Sequence, residues 1–259
     1  MTDYTTKAIR NLALVGHAGS GKTSLAEAML HAAGVIGALG TVERGNTVTD
    51  FDAQERELQH TLEPAVCHLS RAGKHINVLD TPGYPDFLPR AISVLPAVET
   101  AAVVVNAQNG IELVAQRMME AAAERGLCRM LVINKIDAPD INLEDLVTSL
   151  QDVFGKECLP INLPANGGEQ VVDCFFAPAD ATTDFSSVAD AHTQIVDQIV
   201  EVDESLMEVY LEQGEVSPEQ LHDPFEKALR EGHLVPICFV SARSGAGLDQ
   251  FLEVVAKLL

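Results

Sequence analysis

The chain has 259 residues, of which 47% are hydrophobic and 21% charged, values typical of a soluble globular protein with one large domain or a domain carrying an insertion. Its 17 basic and 38 acidic residues give a net charge of −21, which argues against a surface that grips a nucleic-acid backbone such as DNA. The five cysteines are scattered, which argues against a disulfide framework and a zinc site. The apolar runs have only the length of strands, which argues against a membrane span, and the polar start argues against a secretory signal. We therefore expect a cytoplasmic protein.

The first predicted elements surround a glycine-rich loop. Residues 9–15 predict a buried strand and residues 25–33 predict a helix, with G-x-x-x-x-G-K-T between them. Such a loop turns backbone N–H groups toward an anion at a helix N-terminus, while its lysine reaches the terminal phosphates and its threonine hydroxyl binds Mg²⁺. The motif alone does not distinguish ATP from GTP as the ligand, nor a kinase from a motor or a switch as the class of protein. The predicted phosphate-binding residues are Gly16, His17, Ala18, Gly19, Ser20, Gly21, Lys22, Thr23 and Ser24.

A long polar segment separates this loop from the second motif. Residues 40–61 carry no sustained period, so we expect a mobile functional loop with little structure of its own. Residues 64–69 and 75–79 predict a hairpin that ends in Asp80-Thr81-Pro82-Gly83. At this place an aspartate can hold a Mg²⁺-bound water, and a glycine N–H can approach a γ-phosphate because no Cβ blocks it.

Helices and strands then alternate. We expect helices at residues 86–98 and 111–125 and strands at residues 101–106 and 128–133. This alternation predicts an α/β fold of the P-loop NTPase type, in which helices cover both faces of a mostly parallel sheet.

The strand at residues 128–133 runs into an N-K-x-D pattern formed by Asn134, Lys135 and Asp137. A carboxylate at this place can accept hydrogen bonds from N1–H and the 2-amino group of guanine, and adenine offers neither donor. The three motifs in this order therefore predict GTP or GDP as the ligand. A strand at residues 236–240 leads to Ser241-Ala242-Arg243, whose Ser-Ala pair we expect to offer a backbone N–H to the guanine O6, and an amphipathic helix at residues 248–259 follows.

The motif set resembles the GTPase domain of the elongation factor G family of translational GTPases, over the whole chain. Residues 80–87, D-T-P-G-Y-P-D-F, are similar to the family's D-T-P-G-H-V-D-F, and residues 54–62, Q-E-R-E-L-Q-H-T-L, are similar to its Q-E-R-E-R-G-I-T-I. The resemblance implies that Thr61 is the switch I threonine and that Thr23, Thr61 and Asp80 hold Mg²⁺. It also implies a ribosome-associated factor that hydrolyses GTP to GDP and phosphate, slowly in the isolated domain.

An insertion separates the two guanine motifs. Asp137 and Ser241 lie 104 positions apart, whereas one strand–helix unit of about 30 residues would suffice. We therefore expect a GTPase core at residues 1–158, an acidic subdomain at residues 159–233 and the end of the core at residues 234–259. The insertion resembles the α+β G′ subdomain of the elongation factor G family.

Most of the excess negative charge lies in this insertion, since residues 157–226 contain sixteen Asp or Glu and no Lys or Arg. One helix is expected at residues 191–213, with an acidic stripe of Asp197, Glu201, Glu204 and Glu208. That stripe is either a solvated helix face or, as the resemblance implies, the place where a basic patch of the ribosomal stalk protein docks. The factor-binding RNA loop of the ribosome is the second implied partner, and the isolated domain is expected to be monomeric.

Two residues depart from the family pattern. Tyr84 stands at the family's catalytic histidine position, and Gly19 replaces a loop aspartate that helps to hold a monovalent cation in some members. A phenol is a poor base at neutral pH but can still hydrogen-bond a water. The catalytic residues implied are Lys22, Thr61, Gly83 and Tyr84.

Three other functions stay open at this stage. The first is a GTP-gated, ribosome-binding switch that has lost hydrolysis, the second is a P-loop nucleotide kinase, and the third is a release-factor or ribosome-protection GTPase. Because elongation factors continue into further domains, we expect the chain to be an excised N-terminal domain.

Overall fold

The computed structural model describes residues 4–213, 216 and 218–258. The strands within these residues are β1 Ile9–Val15, β2 Ala65–Arg71, β3 Lys74–Asp80, β4 Thr100–Asn106, β5 Cys128–Asn134, β6 Cys158–Pro160, β7 Asn162–Ala165, β8 Gln170–Asp173 and β9 Val235–Val240. Among them, one seven-stranded sheet has the order β2-β3-β1-β4-β5-β9-β6, and β7 pairs with β8 in a separate hairpin. In the described sheet every neighbouring pair is parallel except β2 with β3. The predicted mostly parallel sheet is confirmed.

Helices cover both faces of this sheet, as predicted. Residues of β1 alternate between two hydrophobic clusters, with Leu12 and Leu14 in one and Ala13 and Val15 in the other. A parallel strand buried on both faces needs this continuous apolar run, which is why the sequence predicted β1 with correct bounds. The described helices are α1 Lys22–Ala32, α2 Ala53–Leu58, α3 Leu88–Ser93, α4 Leu113–Glu124, α5 Leu143–Phe154, α6 Val188–Val200, α7 Glu204–Gln213, α8 Pro218–Glu231 and α9 Leu248–Leu258.

The single helix expected at residues 86–98 is wrong. A 3₁₀ turn at Pro85–Phe87 precedes α3, and a second 3₁₀ turn at Leu95–Ala97 follows it. Pro96 explains the break, because a proline has no N–H to donate and its ring collides with the preceding turn of a helix.

The expectation of little structure at residues 40–61 is also wrong. A 3₁₀ turn forms at Val42–Arg44, and α2 begins at a capping box in which Asp52 and Glu55 satisfy each other's backbone N–H groups. The segment folds against α1 and the end of β3, where Thr61 contacts Thr23 and Thr49 contacts Asp80, rather than projecting as an irregular loop.

The helix expected at residues 191–213 is two helices, α6 and α7. Asp203 stands between them, and its side chain accepts the backbone N–H groups of Ser205 and Leu206, which gives α7 a new N-terminus. The expected acidic stripe is therefore divided: Asp197 lies on α6, Glu201 at its C-cap, and Glu204 and Glu208 on α7.

The insertion shares its core with the main sheet. Ile195 of α6 and Phe225 of α8 belong to the same buried cluster as Val132 of β5. The boundary expected between residues 158 and 159 passes through β6, which pairs with β9 at the edge of the main sheet. In the ranges that the structure describes, no helix has the length and apolar character needed to cross a membrane.

Candidate functional site

The predicted motifs meet at one edge of the sheet. The phosphate loop follows β1, Asp80 ends β3, Asn134 ends β5 and Ser241 follows β9. Because these strands are parallel, their carboxyl ends lie at the same edge, where α/β sheets bind ligands.

The lysine of the phosphate loop is buried. Lys22 Nζ donates to the carbonyl oxygens of Gly16 at 3.0 Å and His17 at 2.8 Å, which holds the ammonium group inside the loop. Burial lowers the pKa of Lys22 to about 8, although the nearby carboxylate of Asp80 acts in the opposite direction. A buried cation of this kind is stabilised by an anion such as a phosphate.

Two further atoms of this loop are buried and, among the described residues, have no hydrogen-bond partner: Ser20 Oγ and His17 Nδ1. Buried polar atoms are nearly always paired in folded proteins. Their position in the loop fits a ligand that supplies the missing partners.

The three predicted metal ligands lie together. Thr23 Oγ1 donates to Asp80 Oδ2 at 2.7 Å and lies 3.0 Å from Thr61 Oγ1. The second carboxylate oxygen of Asp80 is buried without a partner in the described part of the chain. Burial raises the pKa of Asp80 to about 6, against the hydrogen bond from Thr23 and the charge of Lys22. Mg²⁺ prefers oxygen ligands, so this cluster of hydroxyls and an unpaired carboxylate oxygen fits that ion.

Sequence reasoning missed two residues of this cluster. Thr49 Oγ1 donates to Asp80 Oδ2 at 2.9 Å, and Asp50 Oδ1 accepts from Thr61 Oγ1 at 3.0 Å. Thr47 in turn donates to Asp50 Oδ2 at 3.1 Å. The only signal available in the sequence was an aspartate within a polar segment, which is too common to identify a ligand.

Two buried glutamates fix the segment of residues 40–61 at its ends. Glu27 of α1 accepts the backbone N–H groups of Gly40 at 3.0 Å and Val48 at 2.8 Å. Glu55 of α2 accepts those of Leu62 at 2.9 Å and Glu63 at 3.2 Å. Thr61 is thereby held opposite Thr23, and neither glutamate was predicted as part of the site.

Gly83 lies against the phosphate loop. Its carbonyl oxygen accepts the backbone N–H of Ala18 at 2.9 Å. A Cβ at this position would lie 2.4 Å from Lys22 Nζ and 2.6 Å from the backbone nitrogen of Ala18, so a side chain would force the two segments apart. The residue is thus placed where its own N–H can face a phosphate held by the loop.

The next residue, Tyr84, is 43% exposed and stands beside His60, with the two ring centroids 4.7 Å apart in an edge-to-face arrangement. Both rings line a cavity of about 320 Å³ together with Lys22, Thr61 and Gly83. The cavity therefore contains the four residues predicted to be catalytic, and in addition His60.

Five of the six predicted base-binding residues line an adjoining cavity of about 720 Å³, namely Asn134, Lys135, Asp137, Ala242 and Arg243. The sixth, Ser241, is fully buried. Asp137 is exposed there, so its carboxylate is accessible to hydrogen-bond a bound base. Lys135 Nζ donates to the carbonyl oxygen of Gly19 at 2.8 Å, so the base motif is tied to the phosphate loop.

Asn134 connects three motifs. Its Nδ2 donates to the carbonyl oxygen of Ser20 at 2.9 Å, and its Oδ1 accepts the backbone N–H groups of Lys135 at 2.8 Å and Ala242 at 3.0 Å. The Ser241 N–H donates to the carbonyl oxygen of Ala246 at 2.9 Å. Both N–H groups of the Ser-Ala pair thus have internal acceptors in this structure, as buried N–H groups usually do, and the expected hydrogen bond to the guanine O6 stays a prediction.

The insertion braces this base motif. Gly168, in the turn between β7 and β8, has a φ of +79°, and a Cβ there would lie 2.0 Å from the carbonyl oxygen of Ile136. Only a glycine permits that approach, so the hairpin supports the loop that carries Asp137.

Comparison with known proteins gives a consistent set of relatives. A family model described as the elongation factor Tu GTP binding domain matches residues 7–259. An elongation factor G-like protein of Mycobacterium tuberculosis is 34% identical over 261 residues, covering 96% of this chain and 37% of that protein. Elongation factor G of Chlamydia trachomatis is 27% identical over 280 residues, covering 99% of this chain and 40% of that protein.

A crystal structure of a Thermus thermophilus protein superimposes with a TM-score of 0.88 at 34% identity, covering 98% of this chain and 40% of that one. The present chain spans less than half of the length of each of these relatives.

Proposed function

Since the chain belongs to the elongation factor Tu GTP-binding domain family, we propose that it binds GTP with Mg²⁺ at this edge of the sheet and hydrolyses it to GDP and phosphate. The observation that carries the proposal is that the buried Lys22 and the exposed Asp137 line two cavities that share Gly21 and Lys135. Asp80, whose Oδ1 has no partner among the described residues, lies next to the first cavity through its hydrogen bond with Thr23. Few other ligands need a phosphate cradle, a hard-cation site and a guanine-reading carboxylate side by side.

In this proposal Lys22 and the amides of residues 16–24 hold the β- and γ-phosphates, and the Gly83 N–H faces the γ-phosphate. Thr23 and Thr61 would hold Mg²⁺, with Asp80 on one of its waters and Asp50 fixing Thr61. The ion, when bound, neutralises charge on the phosphate oxygens. Asn134, Lys135, Asp137, Ser241, Ala242 and Arg243 enclose the base.

The hydrolytic part of the proposal has one specific competitor. With Tyr84 at the position where the family has a histidine and Gly19 where some members have an aspartate, a GTP-gated switch without turnover is the alternative. Single-turnover hydrolysis of bound GTP distinguishes the two, because a pure switch releases GTP unchanged. We expect a slow but measurable rate in the isolated chain, because the reaction depends mainly on positioning and charge stabilisation.

Nucleotide choice is tested separately by direct binding. We expect GTP and GDP to bind at least about 100-fold more tightly than ATP, since an adenine would leave the Asp137 carboxylate unpaired. Comparable affinities for ATP and GTP would contradict the guanine site and revive a nucleotide kinase.

We further propose that the full-length protein acts on the ribosome in the cytoplasm and that this domain is a monomer. The names of its relatives support this proposal, since they include elongation factor G. Glu201, Glu204 and Glu208 are exposed along the α6–α7 junction and would meet a basic patch of the stalk protein, and the nucleotide-binding edge would face the factor-binding RNA loop. Asp197 is less free, because it accepts a hydrogen bond from Tyr210 of α7 and thereby raises the pKa of that phenol. Ribosome-stimulated GTP turnover of the full-length protein is the test.

A further inference from the structure

A histidine, His60, lines the cavity of about 320 Å³ that also contains Tyr84, the residue that follows the D-T-P-G motif where the family has a histidine. His60 comes from the end of the segment of residues 40–61, not from the loop that follows β3. Its ring lies against the ring of Tyr84, with centroids 4.7 Å apart and an interplanar angle of 61°. Both line the cavity that contains Lys22 and Gly83.

One hydrogen bond of His60 determines which of its two ring nitrogens can accept a hydrogen bond from a water. Nδ1 lies 2.9 Å from the carbonyl oxygen of Leu58. A carbonyl oxygen only accepts, so Nδ1 carries the proton and Nε2 of the neutral ring is left as an acceptor. No partner of Nε2 is present among the residues that the structure describes.

The backbone around His60 is held in place. The His60 N–H donates to the carbonyl oxygen of Glu55 at 3.2 Å, and the Glu55 carboxylate accepts the N–H groups of the two residues after Thr61. His60 directly precedes Thr61, which meets Thr23 in the metal cluster. The imidazole is therefore brought to the cavity whenever Thr61 is in place.

We propose that His60 is the residue that hydrogen-bonds the attacking water, through Nε2, and that Tyr84 positions its ring. The inference rests on the proposed hydrolysis. In the reaction the water oxygen bonds to the γ-phosphorus as the bond from that phosphorus to the β–γ bridging oxygen breaks. One water proton passes to a γ-phosphoryl oxygen, and the products are GDP and dihydrogen phosphate.

Of the two rings, the imidazole suits the role better. A water that attacks phosphorus must donate hydrogen bonds so that its lone pair faces the phosphate, and Nε2 is an acceptor with a fixed tautomer. The Tyr84 hydroxyl can donate as well as accept a hydrogen bond, so it does not fix the orientation of a water in this way. His60 thus supplies from switch I the imidazole that this chain lacks after its D-T-P-G motif.

The test is single-turnover hydrolysis of GTP by the 259-residue chain and three variants, with GTP and GDP affinities and unfolding temperatures measured in parallel. His60→Leu removes the hydrogen bond, and His60→Gln keeps an acceptor, since a glutamine orients the attacking water in other GTPases. His31→Leu is the matched control, because His31 is exposed in the last turn of α1 and outside the cavity. We expect His60→Leu to lower the rate about 10- to 100-fold with affinities within about threefold, His60→Gln to recover most of the loss, and the control to match the wild type.

Three results would overturn the inference: an unchanged rate in His60→Leu, a loss of rate matched by an equal loss of GTP affinity or by unfolding, or equal losses in the leucine and glutamine variants. An absence of any hydrolysis by the wild-type chain would contradict the proposed hydrolysis and this inference together. Hydrolysis that does not depend on His60 contradicts the inference alone.

Discussion

Asn134 accepts the backbone N–H of Ala242 at 3.0 Å across 108 positions of the sequence. The same amide donates to Ser20 in the phosphate loop, so one side chain holds together three loops that follow three different strands. Asn134 is buried and does not need to contact a ligand to matter, because it sets where Asp137 and the Ala242 loop lie relative to the phosphates.

Asn134→Ala should lower both stability and nucleotide affinity. The variant leaves the N–H groups of Lys135 and Ala242 without their acceptor, which we expect to lower the free energy of unfolding by about 2 to 4 kcal/mol. We expect GDP affinity to fall at least tenfold. Chemical denaturation and fluorescent GDP binding measure the two effects. Asn109→Ala, at an exposed position, is the control and should change neither.

Asp137→Asn should exchange one base for another. An amide accepts from N1–H but donates to an oxygen at C2, so xanthine becomes the complementary base and guanine loses a hydrogen bond. We expect GTP affinity to fall about 100-fold and xanthosine triphosphate to bind better than GTP. Competition binding provides the comparison, with Asp140→Asn as a nearby exposed control. Retained preference for GTP in Asp137→Asn would place the base elsewhere.

Asp80→Asn should stabilise the nucleotide-free, Mg²⁺-free chain while abolishing Mg²⁺-dependent GTP binding. Because burial raises the pKa of Asp80 from 3.8 to about 6, the ionised carboxylate destabilises the fold. This destabilisation grows as pH rises from 3.8 and is complete above about pH 6. We expect a gain of about 1 to 3 kcal/mol at about pH 7.5 and a smaller gain at about pH 5.

Chemical denaturation at the two pH values checks this prediction. Asp152→Asn serves as the control, since Asp152 forms an exposed ion pair with Lys156 and such pairs contribute little. A loss of stability in Asp80→Asn at the higher pH would mean that its hydrogen bonds with Thr23 and Thr49 outweigh the burial of its charge.

Reversal of Glu201, Glu204 and Glu208 to Lys should slow association with the ribosomal stalk protein. These residues are exposed near the α6–α7 junction, where their charge would attract a basic partner over a distance set by the ionic strength. We expect the difference from the wild type to shrink as salt is raised. The control reverses three residues that are also exposed but lie outside the insertion, Glu120, Glu124 and Glu144. Equal association rates for both triple variants at low salt would indicate that Glu201, Glu204 and Glu208 only face solvent and do not attract the stalk protein.

The elements that were predicted correctly are those whose structure is determined by a short contiguous stretch of the sequence. The bounds of β1 follow from its apolar run, and the three nucleotide motifs are contiguous, so both could be read without a structure. The helix at residues 191–213 was predicted as continuous because its apolar stripe extends from Ile195 to Val209, whereas Asp203 starts a new helix through its side-chain hydrogen bonds.

Residues whose role comes from tertiary contacts could not be predicted in this way. Glu27, Asp50 and Glu55 are polar residues in helices or loops, and only the folded chain shows that their carboxylates fix residues 40–61. His60 belongs to the same group, since nothing in its sequence context places it beside Tyr84.

The hydrogen bond between Asn134 and Ala242 also sets an order of events during synthesis. A ribosome that adds about 5 to 20 residues per second needs on the order of 5 to 20 s to make the 108 positions between them. Throughout that time the nascent chain has its phosphate loop but no completed base pocket, and β9 has not yet joined β5. We therefore expect a guanine nucleotide to be retained only after β9 has been made and has joined β5, so that a bound nucleotide would mark a finished domain.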